Sequence, residues 1–273
     1  MKIGACLGWG DFSKYEFAKQ CGLDYGETDF TDIALASEEE FNEFYENIEK
    51  LQFPVLAANH FLPGHLKLVG KEVDKKALNE FLEKGLKRAS VLGIQSVVFG
   101  SGAARSFKED YTIEEANKDM ENFLKEIASP IASKYDVNIV IEPLSIGETS
   151  MIHTVKDGVD FAEKADFNHV YGLADLFHVC NNNDDIDGIG DFVGKIKHAH
   201  IAEPETRIFP NKNADDSVND IYKRFFVALK KSGCETLTIE ARTDDFFADL
   251  PVAIEVLKEM QNAKCKMQNF GMD

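Results

Sequence analysis

The chain has 273 residues, 44% of them hydrophobic and 29% charged, the balance of a globular protein long enough to bury a core without staples. Its formal net charge of −18 repels phosphate backbones and anionic lipid, which argues against nucleic-acid or membrane partners. The five cysteines (Cys6, Cys21, Cys180, Cys234 and Cys265) are widely spaced and form no CxxC, which disfavours a disulfide framework or a cysteine zinc site and favours a reducing cytoplasm.

Short apolar runs alternate with helical patterns along the chain. Lys2–Leu7 reads as a strand and Phe12–Cys21 as a helix ended by Gly22. Leu23–Asp29 is a second strand, followed by an acidic amphipathic helix over Glu38–Gln52. Pro54–His60 is a third, and Asp74–Leu92 is a strong helix with Leu78, Phe81, Leu82, Gly85, Leu86 and Ala89 at helical spacing. Gln95–Phe99 precedes a helix over Ile113–Tyr135 that Pro130 should break or kink. Val137–Ile141 and Val170–Ala174 are strands around a helix at Val155–Ala165. Ile186–Gly194 is a short, weak helix before a strand at Ile196–Ile201. Ser217–Ser232, Thr236–Glu240 and Phe247–Gln261 then read as helix, strand and helix. The N-terminus turns polar after Leu7, unlike a signal peptide. No window approaches 18 consecutive apolar residues.

Eight strand–helix units with no linker predict a single domain over residues 1–273. Strands separated by helices are parallel, and eight of them close most economically as a (β/α)8 TIM barrel. An open doubly wound sheet would want a GxGxxG or a phosphate loop after an early strand, and neither is present.

In such a barrel, chemistry sits at the C-terminal ends of the strands. The last four strands end in Glu142, Asp175, His200 and Glu240, spaced 33, 25 and 40 residues apart. Each is an unremarkable strand end or helix cap taken alone. Together, three carboxylates converging on one rim are costly unless a cation balances them. The oxygen-rich set suits one divalent ion, Mn²⁺ first, with Mg²⁺ or Co²⁺ as alternatives, whereas zinc prefers more nitrogen or sulfur. Two glutamates across such a pocket suit proton transfer at the carbon next to a sugar carbonyl, through an enediolate. Glu142 and Glu240 are then the catalytic pair.

At these residues the chain resembles the xylose isomerase-like superfamily of sugar isomerases and epimerases over essentially its whole length. It is most similar to the D-tagatose/D-psicose 3-epimerase branch, with hydroxypyruvate isomerases as neighbours. The most specific stretch is Ile141–Thr149, in which Glu142 matches a ligand and acid/base and Glu148 a substrate contact. Asp175–His178 is similar to the Asp-x-x-His in which Asp binds metal and His binds substrate. His198-Ala199-His200 and Ile239-Glu240 match the last two ligand motifs, and Glu27 falls where relatives carry a glutamate near the pocket. Where the family usually has more arginine and a Pro-Gly, this chain reads Glu205–Asn211, which leaves Arg207 for the substrate-contact role. The resemblance implies a small sugar substrate and a homodimer or homotetramer.

Other residues have two readings. His60 ends the third strand and suits either a sugar hydroxyl or a structural role. Trp9 is a pocket wall or a plug in the barrel mouth. His198 shares a strand face with His200 and suits either orienting a ligand or no role at all. Arg105 and Lys67 read as solvated rim residues, so nothing demands a phosphorylated substrate, and Lys264–Asp273 reads as a polar tail. Alternatives to the epimerase are a cyclic-polyol dehydratase or hydroxypyruvate-type isomerase of the same fold, or a non-catalytic sugar-binding protein. A metal-dependent endonuclease would want more histidines and a basic groove.

Overall fold

The computed structural model describes residues 1–108, 110–164 and 168–262; the tail Lys264–Asp273 lies outside them. The eight strands are β1 (Lys2–Cys6), β2 (Tyr25–Asp29), β3 (Val55–Asn59), β4 (Ser96–Phe99), β5 (Asn138–Ile141), β6 (Val170–Asp175), β7 (Ile196–Ile201) and β8 (Thr236–Ile239). They pair in chain order, all parallel, and β8 returns to β1. This is the expected TIM barrel.

The long outer helices are α1 (Phe12–Gln20), α3 (Glu38–Leu51), α4 (Lys75–Val91), α6 (Ile113–Phe123), α7 (Ser129–Tyr135), α8 (Val155–Glu163), α10 (Asp216–Ser232) and α11 (Phe246–Asn262). Local chemistry sets several starts. Capping boxes open α3 (Ser37 with Glu40), α6 (Thr112 with Glu115) and α8 (Thr154 with Asp157). Gly233, at φ +81°, ends α10 in the left-handed region.

Three short helices escape periodicity because one or two turns carry too few positions to show a stripe. They are α2 (Phe30–Leu35), α5 (Gly102–Arg105) and α9 (Leu176–Asn181), following β2, β4 and β6. The weak helix expected at Ile186–Gly194 is a 3₁₀ segment, Asp187–Asp191. The break expected at Pro130 is absorbed differently. A π segment, Leu124–Ala128, joins α6 to α7, whose first turn contains Pro130. Proline needs no donor there, and the wider π turn relieves the crowding its ring would cause.

Strand periodicity of two positions the site. Val98, Val140 and Leu173 of β4, β5 and β6 pack together inside the barrel as a small apolar cluster. Two residues further along each strand lie Gly100, Glu142 and Asp175. On the other side of the bore the inward residues are polar: Tyr25 and Glu27 of β2, His198 and His200 of β7, and Thr238 of β8.

Outside the barrel, Gly85 on α4 faces α2. A Cβ there would lie 2.5 Å from Cζ of Phe30, a fully buried ring flanked by Phe61 and Phe81. Gly→Ala normally gains about 1 kcal/mol in a helix interior, but overpacking costs about 1–3 kcal/mol. Gly85→Ala should therefore destabilise by about 1 kcal/mol, read as a lower urea midpoint; a raised midpoint would show that Phe30 yields.

Candidate metal centre

Glu142, Asp175, His200 and Glu240 meet at the C-terminal mouth, each offering one ligand atom, all within 4.8 Å of one another. Register does this. Asp175 pairs with His200 across β6 and β7. Ile201 pairs with Ile239, and the Glu240 N–H donates to Ile201 O at 3.1 Å. The Glu142 N–H donates to Phe99 O at 3.1 Å. His200 Nδ1 stands 3.2 Å from Glu142 Oε1 and 3.3 Å from Glu240 Oε2. Asp175 caps α9 with Oδ1, which accepts from the Phe177 N–H at 2.8 Å. That leaves Oδ2 buried without a hydrogen-bond partner among the described residues. Gly100 carries no side chain where a Cβ would collide with the Glu142 carboxylate.

The charges are strained as they stand. Burial, with the Glu240 charge, pushes the Asp175 carboxyl up to about 6. Burial also raises Glu142, against a hydrogen bond from His200. Burial would raise Glu240 too, but the charge and hydrogen bond of His200 and the charge of Arg207 hold it below the usual carboxylate range. Burial would lower His200, but Glu27 and Glu240 outweigh it and raise it well above an ordinary histidine. An orphaned carboxylate oxygen, three carboxylates and an imidazole nitrogen at one point fit a divalent cation.

Behind His200 runs a layer that ligand motifs alone do not reveal. His200 Nε2 lies 3.0 Å from Glu27 Oε1, and His198 Nε2 lies 2.9 Å from Glu27 Oε2. His198 Nδ1 is 2.8 Å from Thr236 Oγ1. Asn59, the last residue of β3, donates from Nδ2 to Glu240 Oε1 at 3.3 Å. Asn59 belongs to no motif, and its strand-end position is the one signal of its role that the sequence carries.

The expected substrate contacts divide. His178 is buried behind Asp175. The Ser145 backbone N–H donates to its Nδ1 at 3.1 Å, so that nitrogen is an acceptor and Nε2 carries the proton. Nε2 has no hydrogen-bond partner among the described residues and lies 3.7 Å from Asp175 Oδ2 and 3.9 Å from Glu148 Oε2. Arg207, at φ +57°, is held by Arg207 N to Glu203 O and by Arg242 N to Arg207 O, at 3.0 and 2.8 Å. Its Nη2 donates to Glu240 Oε2 at 2.9 Å, its Nη1 is 3.8 Å from Glu148 Oε1, and its guanidinium lies over Phe177. His60 is solvent-exposed and pairs through Nδ1 with Asp29 on the wall of the mouth. Trp9 instead stacks on Phe44 of α3, ring centroids 4.1 Å apart, outside the cavity lining. Arg105 is not a solvated rim residue: it is fully buried, over Phe99, and donates to Glu142 O at 2.7 Å.

A cavity of about 410 Å³ opens over the cluster, walled by Glu142, Glu240, Arg207, Asn59, His60 and Asp29 among others. That size suits a small ligand. The profile of the family described as xylose isomerase-like TIM barrel matches residues 15–263.

The chain belongs to the xylose isomerase-like TIM barrel family. It is 30% identical over 89 residues to a D-psicose 3-epimerase of Ruminiclostridium cellulolyticum, a match that spans 31% of this chain and 29% of that protein. Among solved structures, it superposes on D-psicose 3-epimerase with D-tagatose from Clostridium cellulolyticum H10 at a TM-score of 0.79 and 20% identity, covering 96% of this chain and all of that one. It superposes on an E. coli 3-keto-D-glucoside 4-epimerase, apo form, at a TM-score of 0.77 and 20% identity, covering 94% and 99%. At such identity these two likenesses show the shared fold. No helix among the described residues is long and apolar enough to cross a membrane.

A cation at this cluster should stabilise the fold by mass action, by about 2.7 kcal/mol at a hundredfold excess over Kd. Added Mn²⁺ should raise Tm by about 5–10 °C, and EDTA should reverse the rise. Protons compete for the same atoms. With His200 raised well above an ordinary histidine and Asp175 pushed up to about 6, metal affinity should already weaken as pH falls through neutrality and drop further below about 6. A Tm indifferent to every divalent ion would overturn the assignment.

Proposed function

We propose that this protein is a metal-dependent sugar epimerase that inverts the carbon next to a ketose carbonyl, a ketose 3-epimerase. The observation that carries the reading is the placement of Glu142 and Glu240. They come from different strand ends, β5 and β8, approach His200 Nδ1 to 3.2 and 3.3 Å, and both wall the same cavity. Inversion needs one group to remove a proton from one face and another to supply one to the opposite face. Two carboxylates flanking one point provide both, and the reverse reaction exchanges their roles.

Glu142, Asp175, His200 and Glu240 would hold the cation, with Mn²⁺, Mg²⁺ or Co²⁺ suiting the ligand set. When bound it would act as a Lewis acid toward the substrate carbonyl and the neighbouring hydroxyl. The protein's own groups do the rest. Glu240 takes the C–H proton, leaving the enediolate, and Glu142 delivers a proton to the other face. Arg207, on the cavity wall, would supply a cation to the sugar's oxygens, and Glu148 and the His178 Nε2–H, just beyond the wall at 3.8 Å from Arg207 and 3.9 Å from Glu148 respectively, would supply an acceptor and a donor to a substrate that reaches past it. Arg207 is already engaged by Glu240, and Asp29 and Asp32 make the rest of the wall acidic. That balance favours an uncharged sugar over a sugar phosphate.

The test is a panel of free ketoses and aldoses in D₂O with metal-loaded protein, followed by NMR. Deuterium should enter next to the carbonyl of a ketose, with the C3 epimer as product and loss of exchange on EDTA treatment. Loss of water from a cyclic polyol would instead make it a dehydratase. Glu240→Gln and Glu142→Gln should each lower kcat by about 10²–10⁴-fold. Near-normal turnover in either would remove that residue from the acid/base pair.

A further inference from the structure

Inside the barrel, below the four ligands, Tyr25, Glu27, His198, Thr236 and Thr238 are all buried. The facing wall, Val98, Val140 and Leu173, is apolar. Burying a carboxylate and two imidazoles is costly, and apolar residues of similar volume commonly serve stability as well or better. The hydrogen bonds of this polar wall form a line that ends at His200. Thr236 Oγ1 lies 2.8 Å from His198 Nδ1. His198 Nε2 lies 2.9 Å from Glu27 Oε2, and Glu27 Oε1 lies 3.0 Å from His200 Nε2. Tyr25 and Thr238, joined at 2.8 Å, close the line from below, with Thr238 Oγ1 3.2 Å from His198 Nε2.

We infer that Glu27 is a positioning residue for the metal centre: held by His198, it engages His200 Nε2–H and so presents the Nδ1 lone pair to the cation. The inference rests on reading Glu142, Asp175, His200 and Glu240 as ligands. The donor logic follows from the atoms. A carboxylate only accepts, so both imidazoles facing it present N–H groups. His198 then accepts at Nδ1 from the Thr236 hydroxyl. His200 is left with Nδ1 free of a proton when a metal binds, on the side of Glu142 and Glu240. The carboxylate also adds negative charge behind the ring, strengthening the nitrogen as a ligand, and loss of such a partner typically costs 10–100-fold in metal affinity. Glu27 is outside the cavity lining and outside the four-residue cluster at the mouth, so toward that cluster it acts through His200.

The test compares wild type with Glu27→Gln, measuring Mn²⁺ affinity by competition with a chelating dye and the Tm of the metal-free proteins. ¹⁵N-histidine NMR of Zn²⁺-loaded protein adds a readout that needs no variant. We expect Glu27→Gln to fold and to bind Mn²⁺ about 10–100-fold more weakly. We also expect a solvent-protected Nε2–H on His200 in the wild type and its loss or displacement in the variant. Wild type that binds Mn²⁺ tightly while Glu27→Gln binds it equally well, or a His200 without a protected Nε2–H, overturns the positioning role. A change confined to Tm would make Glu27 structural only, which also overturns it. Wild type that binds no divalent metal overturns the metal-centre reading itself, and this inference with it.

Discussion

The structure is organised around a problem of charge. Three carboxylates and one imidazole are gathered with their ligand atoms within 4.8 Å of one another at a buried rim, where bulk water cannot screen them. Several otherwise unconnected features answer to it. Gly100 leaves room for the Glu142 side chain. Arg105 is buried against the Glu142 carbonyl. Arg207 reaches in from the β7–α10 connection to bond Glu240. Asp175 gives one oxygen to the start of α9 and leaves the other pointing at the centre. A divalent cation at this point would balance the three carboxylates.

The barrel bore is divided accordingly. On β4, β5 and β6 the candidate ligands rest on an apolar floor of Val98, Val140 and Leu173. On β2, β7 and β8 they rest on a hydrogen-bonded one running from Thr236 through His198 and Glu27 to His200. The apolar half supplies burial. The polar half sets the direction of individual atoms, which burial alone does not do, because the hydrophobic effect is non-directional.

Much of this was legible beforehand. Alternating apolar runs and helical stripes predicted eight units and a closed barrel, and the strand ends singled out Glu142, Asp175, His200 and Glu240, which the fold brings together. Other residues were harder. Asn59 and Gly100 are common residue types with no motif of their own, and their place follows only from register. Helices α2, α5 and α9 are too short to leave a periodic trace. Arg105 looked like a rim residue because hydropathy scores the residue, not its place. Trp9 has the chemistry of a sugar platform but sits on Phe44, a partner 35 positions away.

The amino-acid sequence by itself determined the class of fold and singled out the four residues of the candidate ligand set. Both are written in local periodicity and in residue type at strand ends, which need no knowledge of distant contacts. The tertiary structure alone decided which atoms face which. That His200 turns Nε2 toward Glu27, with His198 beside it, depends on residues 171 to 173 positions apart being set in register across the bore, and its Nδ1 meets Glu142 and Glu240 from two further strands. Hydrogen bonds are directional over a few tenths of an ångström, and barrel closure is what fixes positions to that tolerance.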